Sequence, residues 1–211
     1  MIKVDEIEVL NFKGAVRGLR NPLASHHLSD SECKFSDDEF GGSWVYCIGD
    51  KDLKLMNKLY EAGSEHAKYL RQIFISMDID APLYWWKQAD QYQIGVTTNS
   101  YSTMHKIHAK QFTLDDFSHE HLDMLGIDTL QGLIKILNTY RDCYNETKDK
   151  KYWWNIIQLL PSSYNQKRTI TMSYANVVNM IKQREFHKLD EWRAFVQLLK
   201  GLPYMKEIRG E

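Results

Sequence analysis

Charged and hydroxyl side chains are concentrated in residues 63–106, GSEHAKYLRQIFISMDIDAPLYWWKQADQYQIGVTTNSYSTMHK. A hydrophobic core does not need so many polar groups in so short a span, because buried polar groups are costly unless they are paired. A site that holds a polar ligand does need them. Glu65, His66 and Arg71 could line such a site, or they could belong to a solvated junction between a helix and a strand. Both interpretations stay open at this point.

Phosphate is the ligand chemistry that the other polar residues favour. Asn99 and Ser102 combine amide, hydroxyl and backbone donors that can bind an anion, although Ser, Thr and Asn are also common turn residues. Arg184 near the end of a predicted helix could contact a phosphate. A cation in the last turn of a helix is also favourable by itself.

Metal chemistry is a weaker hypothesis. His26 and His27 stand near the acidic segment SDDEF, and His105 and His108 are three residues apart. No further ligand follows either pair at the spacing of a metal site. We therefore predict no metal centre, and we interpret the first pair as part of a solvated loop.

Composition limits the possible functions. The net charge of −1 provides no basic field for DNA or RNA. The N-terminus lacks the apolar segment of a signal peptide, and no run of about 18 apolar residues predicts a membrane span. The cysteines are odd in number and far apart, which predicts neither a zinc site nor disulfides and favours a reduced, cytoplasmic setting; they are Cys33, Cys47 and Cys143.

A strand and a helix must position the polar cluster. The segment FISMDID alternates, so that one face is apolar and the other carries Asp78 and Asp80. Pro82 then suits the start of a helix that contains Trp85 and Trp86. These two indoles could stack on a ligand ring, but packing of the helix is the expected role for at least one of them.

The remaining elements predict an α+β protein. Residues 2–9 alternate like a strand with a bulge, whereas residues 11–50 show mainly loop signals. After a helix that Gly63 ends, the C-terminal half has apolar residues at helical spacing in residues 130–144, in KYWWNIIQLL, in TITMSYANVVNMIKQRE and in residues 189–199. No linker divides the chain, so one domain over residues 1–211 is expected.

This order of elements resembles flavin-dependent thymidylate synthase, the ThyX family. The segments that carry the resemblance are LMNKLYEAGSEHAKYLRQI, ID-AP-LYWWKQ, LLPSSYNQKRT and SYANVVNMIKQREFHKLDEW. The resemblance covers residues 51–205 and leaves residues 1–50 as a divergent N-terminal strand and loops. It implies a ThyX-like α+β fold with a central antiparallel or mixed sheet and a helical C-terminal half.

The chain departs from the family at its signature. The positions of the family's Arg-His-Arg read Gln91, Tyr92 and Gln93 here. Arginine binds phosphate through charge-assisted bidentate hydrogen bonds, which neutral glutamine cannot replace. Four cations could compensate if the fold brings them together, and these are Lys87, Lys106, Lys167 and Arg168.

The resemblance also implies roles for individual residues. It implies a substrate site formed by Arg184, Asn99, Ser102, Gln91, Tyr92, Gln93, His187 and Arg168, and a cofactor site formed by Glu65, His66, Arg71 and Lys87. An active member would be a homotetramer that binds FAD, takes folate and NADPH as co-substrates and methylates deoxyuridylate or a related nucleotide. The alternatives are a non-catalytic protein that binds a nucleotide or another ligand, and an oligomeric interaction protein that keeps the fold.

Overall fold

The computed structural model describes residues 2–37 and 42–211. Its strands are β1 (Lys3–Leu10), β2 (Glu32–Ser36), β3 (Ser43–Cys47), β4 (Phe74–Pro82), β5 (Val96–Ser100) and β6 (Asn165–Ser173). Its α-helices are α1 (Phe12–Arg20), α2 (Asp50–Glu61), α3 (Leu83–Ala89), α4 (Met124–Thr147), α5 (Lys150–Leu159), α6 (Tyr174–Arg184), α7 (Asp190–Lys200) and α8 (Met205–Arg209). Helices and an antiparallel sheet confirm the α+β class.

The strands form two sheets. The larger sheet has the order β1-β4-β6-β5, and β2 and β3 form an antiparallel hairpin. Strand β4 keeps the predicted alternation, with the side chains of Ile75, Met77 and Ile79 buried and those of Asp78 and Asp80 on the polar face. This face therefore offers carboxylates beside an apolar core.

The chain divides into two compact units, and the prediction of one domain over residues 1–211 stays a prediction. The first unit contains residues 1–6 and 77–170, of which residue 1 lies outside the described part. Its core is a helical hairpin of α4 and α5, and Asp123 and Asp149 cap the two helices by accepting backbone N–H bonds. The buried residues of this core are Ile107, Phe112, Phe117, Leu130, Ile134, Leu137 and Ile156.

The second unit contains residues 7–76 and 171–211. Helix α2 packs against α8, and α6 packs against α7. Ser173 begins α6 with a capping box in which its hydroxyl and the Asn176 side chain satisfy each other's backbone N–H groups. Gly63 has a φ of 106°, a left-handed conformation that suits the residue following the end of α2.

Three predictions of local structure were wrong. Residues 11–50 contain a helix and a hairpin rather than mainly loops. The interpretation of Asn99 as a turn residue was wrong, because residues 96–100 form β5. The segment TITMS belongs to β6 and not to a helix, because its residues alternate between buried and exposed positions. Strand β6 thus interrupts the helical C-terminal half.

Candidate functional site

The polar loop after β5 is held in place by backbone and side-chain hydrogen bonds. The Tyr101 carbonyl accepts a bond from Gln166 Nε2 at 2.7 Å, and the Tyr101 amide donates to the Lys167 carbonyl at 2.9 Å. Ser102 then begins a turn in which Lys106 N donates to its carbonyl at 3.1 Å. Ser102 and Lys106 are consequently fixed close to the start of β6.

This loop lines a cavity of about 550 Å³ within the first unit. The volume lies in the range of sites for small molecules, which is about 300–1,000 Å³. Aromatic rings form part of the wall, and Phe112 and Tyr164 meet edge to face with ring centroids 6.1 Å apart. The lining residues are Asp80, Tyr101, Ser102, Thr103, Lys106, Ile107, Ala109, Lys110, Phe112, Asp115, Asp116, Tyr164, Asn165, Gln166 and Lys167.

Three lysines bring positive charge to this cavity. Lys167 Nζ pairs with Asp78 at 3.1 Å and with Asp5 at 3.4 Å, and Lys110 pairs with Asp116. Lys106 forms no ion pair with any residue that the structure describes, and its side chain is exposed. Lys106 is thus the lysine whose charge is available to an anion.

Carboxyl groups balance the lysines. Burial raises the pKa of Asp80, although Lys3, Lys110 and Lys167 oppose the shift. Burial, together with the charges of Asp116 and Asp80, raises the pKa of Tyr164 to about 12. The tyrosine is therefore a neutral hydrogen-bonding group at physiological pH.

A second cavity of about 360 Å³ shares Tyr101, Ser102 and Lys167 with the first cavity. It brings Asn99 and Ser102 together, as the sequence suggested for a phosphate site. The polar face of β4 and β6 supplies the rest of its wall, where Thr169 Oγ1 donates to Asp78 at 2.6 Å. Ser102 and Lys167 stand where the two cavities adjoin.

The residues at the signature positions do not line these cavities. Tyr92 and Gln93 line a separate cavity of about 140 Å³, and Gln91 is exposed in the turn after α3. Arg168 is engaged in the structure, since its guanidinium bonds Asp90 at 2.7 Å and lies 4.2 Å from the Trp86 ring centroid. Of the four cations considered as replacements, Lys106 and Lys167 meet at one cavity. The fourth, Lys87, is exposed on α3.

Both tryptophans of α3 are buried. The rings of Trp85 and Trp86 meet edge to face at 4.8 Å, and each side chain is 1% exposed. Trp86 Nε1 donates to the Gln166 carbonyl at 2.8 Å. Packing of the helix, rather than stacking on a ligand, is their role here.

The residues assigned to a cofactor in the second unit are spread over its surface. Glu65 and His66 are exposed in the turn after α2. Arg71 lines a cavity of about 180 Å³, together with Asn179 and Lys182. This volume is below the usual range for small-molecule sites.

Arg184 and His187 lie together at the end of α6. The Arg184 guanidinium is 4.8 Å from the Trp192 ring centroid, and the His187 amide donates to the Arg184 carbonyl at 3.1 Å. Burial lowers the pKa of His187, and the charges of Arg184, Arg193 and Lys188 lower it further. His187 Nδ1 accepts a bond from Leu189 N at 3.1 Å.

Neither a metal centre nor a membrane span is found in the described part of the chain. No group of three or more His, Cys, Asp or Glu side chains there could hold a metal ion. Asp38 and Glu39 of the acidic segment lie outside the described residues. None of the helices within residues 2–37 and 42–211 combines the length and the apolarity that a membrane span needs.

Comparison with known proteins establishes the fold. No family model matches the chain, and no curated protein sequence matches it. A crystal structure of thymidylate synthase X from Helicobacter pylori with FAD and dUMP matches 100% of this chain and 98% of its own, with a TM-score of 0.69 and 14% identity. A second structure of that enzyme with FAD and dUMP matches 98% of each chain, with a TM-score of 0.67 and 15% identity.

The chain has the fold of thymidylate synthase X. The resemblance predicted from residues 51–205 is thereby confirmed for the fold. The structural match also includes residues 1–50, so the N-terminal helix and hairpin lie within the region that matches the thymidylate synthase X fold. Identity of 14–15% establishes the fold alone, and the roles of individual residues remain predictions.

Several residues of the cavity that contains Lys106 could not be predicted from the sequence. Phe112 and Tyr164 come from loops far apart in the chain, and nothing local marks them as neighbours. Lys110 stands outside every segment that carried the resemblance. Asp80 did leave a signal, because it is a carboxylate on the polar face of a strand whose other face is buried.

Proposed function

We propose that this chain binds a pyrimidine nucleoside monophosphate in the cavity lined by Ser102, Lys106 and Lys167. The observation that carries the proposal is the convergence of these residues on a cavity with aromatic walls. Aromatic side chains suit a planar base, and lysines suit a phosphate as point charges. The proteins that share the fold hold dUMP, which agrees with a pyrimidine nucleotide.

The phosphate is assigned to the loop end of the cavity. Lys106 has no ion pair among the described residues, and Ser102 and Thr103 add hydroxyl groups beside it. Lys167 contributes a further charge, although Asp78 and Asp5 already share it. The base is assigned to the part of the cavity walled by Phe112 and Tyr164.

The residues assigned to FAD do not fit a flavin within one chain. Glu65 and His66 are exposed, and Arg71 lines a cavity of only about 180 Å³. The positions of the signature arginines hold neutral side chains, and Arg168 is bound to Asp90. No step of the proposed function therefore runs through FAD, and the proposal is nucleotide binding.

Isothermal titration with deoxyuridine and deoxycytidine monophosphates, and with the nucleosides that lack the phosphate, tests the proposal. At least one monophosphate should bind, and its nucleoside should bind at least about tenfold more weakly, because hydrogen bonds to charged groups contribute about 1.5–3 kcal/mol. Lys106→Ala should weaken the monophosphate by about tenfold or more and leave the nucleoside unchanged.

Lys150→Ala is the matched control, since Lys150 is an exposed lysine at the start of α5 outside the cavity. Failure of both monophosphates to bind contradicts the proposal. Equal affinities for nucleotide and nucleoside, or an unchanged affinity in Lys106→Ala, would also contradict the assignment of the phosphate.

A further inference from the structure

Asp80 is a half-buried carboxyl group without a hydrogen bond. It lies near the end of β4, between the buried residues Ile79 and Ala81, and it lines the cavity of about 550 Å³. No donor among residues 2–37 and 42–211 forms a hydrogen bond to it. Its carboxyl oxygens remain accessible from the cavity, so a ligand there can donate hydrogen bonds to them.

The neighbouring Asp116, in the same cavity, has hydrogen-bond partners for both carboxylate oxygens. Its Oδ2 accepts bonds from the Thr113 amide at 2.8 Å and from the Thr113 hydroxyl at 3.1 Å. Its Oδ1 accepts from Lys110 Nζ. Asp116 is thus occupied by a capping box and an ion pair, whereas the acceptor capacity of Asp80 is unused.

The charges that line the cavity also favour a ligand that donates hydrogen bonds. Three lysines face three aspartates, so the lining is not simply an anion site. A ligand that complements it carries both an anionic group and hydrogen-bond donors. Nucleotides with an exocyclic amine on the base have both.

We propose that Asp80 selects a cytosine-type base, so that the preferred ligand is a cytidine-type rather than a uridine-type monophosphate. This inference rests on the proposed function, because it assumes that a pyrimidine nucleotide occupies the cavity. Aspartate and glutamate recognise cytosine by accepting a hydrogen bond from its exocyclic amine. The basic ring nitrogen beside that amine can share a proton with the second carboxyl oxygen.

Uracil fits the same carboxyl group less well. Uracil has a carbonyl oxygen where cytosine has the amine, so an oxygen of ionised Asp80 would face another hydrogen-bond acceptor. Burial raises the pKa of Asp80, and a proton held by the carboxyl group is shared more readily with the basic ring nitrogen of cytosine than with the weakly basic carbonyl oxygen of uracil. An amide at this position would instead offer a donor to the uracil carbonyl and an acceptor to its ring N–H.

Titration of both monophosphates into the wild type and into Asp80→Asn tests the inference. Deoxycytidine monophosphate should bind the wild type at least about tenfold more tightly than deoxyuridine monophosphate, since a good base contact discriminates by about 1–3 kcal/mol. Asp80→Asn should reduce this ratio by at least about tenfold by weakening the first ligand and strengthening the second. A thermal melt of the isosteric variant verifies its fold.

Asp128→Asn is the matched control because Asp128 is an exposed carboxylate on α4 outside the cavity, and its loss should leave the ratio unchanged. If both nucleotides bind equally, or if Asp80→Asn and Asp128→Asn change the ratio alike, the selection by Asp80 is wrong while the proposed function stands. If neither nucleotide binds, the proposed function fails and the inference fails with it.

Discussion

Replacement of Asp52 should unfold the second unit more readily than any change to a surface charge. The Asp52 side chain is fully buried, and Arg20 Nε donates to its Oδ1 at 2.5 Å. The hydroxyls of Ser29 and Ser31 donate to its Oδ2 at 2.6 Å each. Backbone amides of Asp30 and Ser31 add longer bonds of 3.3 and 3.2 Å to the same oxygen.

Asp52→Ala removes all five acceptor contacts at once. The Arg20 guanidinium then stays buried, and the partners left to it within residues 2–37 and 42–211 are the Ser25 carbonyl and hydroxyl, at 3.3 and 3.4 Å. Removal of one partner of a buried ion pair typically costs about 3–5 kcal/mol. For a chain of this size, each kcal/mol lowers the melting temperature by roughly 2–4 °C, so a decrease of about 6–20 °C is expected.

Urea unfolding of the wild type and of Asp52→Ala measures this cost. Glu32→Ala is the control, because its pair with Lys34 spans 3.4 Å between side chains that are more than 60% exposed. Such a surface pair contributes about 0–1 kcal/mol. The reasoning would be refuted if Asp52→Ala lost no more stability than Glu32→Ala.

The same network predicts a pH dependence of stability. Burial alone would raise the pKa of Asp52, but hydrogen bonds from Ser29, Ser31 and Arg20 outweigh it and hold the pKa below its ordinary value of 3.8. A carboxyl group with a lowered pKa stabilises the folded state above its ordinary pKa. This contribution is lost as the pH falls through the folded pKa, and Asp52→Ala should lack that part of the acid transition.

Two further predictions concern Trp86 and His187. Trp86→Phe should lower the free energy of unfolding, measured in urea, by about 2–3 kcal/mol, because it removes the bond to the Gln166 carbonyl and leaves a gap beneath Arg168. The control is Trp154→Phe, at a side chain that is 50% exposed, which should cost less than about 1 kcal/mol. His187 has a lowered pKa, so its protonation favours the unfolded chain and stability should fall as the pH drops below its ordinary pKa of 6.5. His187→Gln should flatten this slope in melts between about pH 5 and 7, and an unchanged slope would refute the assignment.

Local patterns in the sequence predicted the elements that have a clear period. Apolar and polar residues alternate along β4. Helices α4 and α5 have apolar residues at helical spacing; α4 ends near a charged turn and α5 ends near Pro161. Strand β6 was missed because it runs directly into α6, so one apolar segment contains two periods. Local spacing cannot locate such a boundary.

Long-range contacts explain why the N-terminal region was not predicted. The segment between α1 and α2 is organised by Asp52, which bonds residues 21 to 32 positions earlier in the chain. Nothing in the local sequence indicates that this aspartate is buried. The polar network replaces the hydrophobic periodicity on which prediction depends.

The candidate site was predicted only in part. Asn99 and Ser102 do share a cavity, since Asn99 lies on β5 and Ser102 follows that strand closely in the chain. The aromatic wall from Phe112 and Tyr164 needs the packing of two distant loops. The pairing of Arg168 with Asp90 removes a candidate phosphate ligand, and only the tertiary structure reveals that contact.

A crystal structure of the protein grown with deoxycytidine monophosphate tests the central claim most directly. We expect density for one nucleotide in the cavity of about 550 Å³, with the phosphate beside Ser102 and Lys106 and the amine edge of the base against Asp80. An empty cavity at a saturating nucleotide concentration, or a nucleotide bound outside this cavity, would contradict the account.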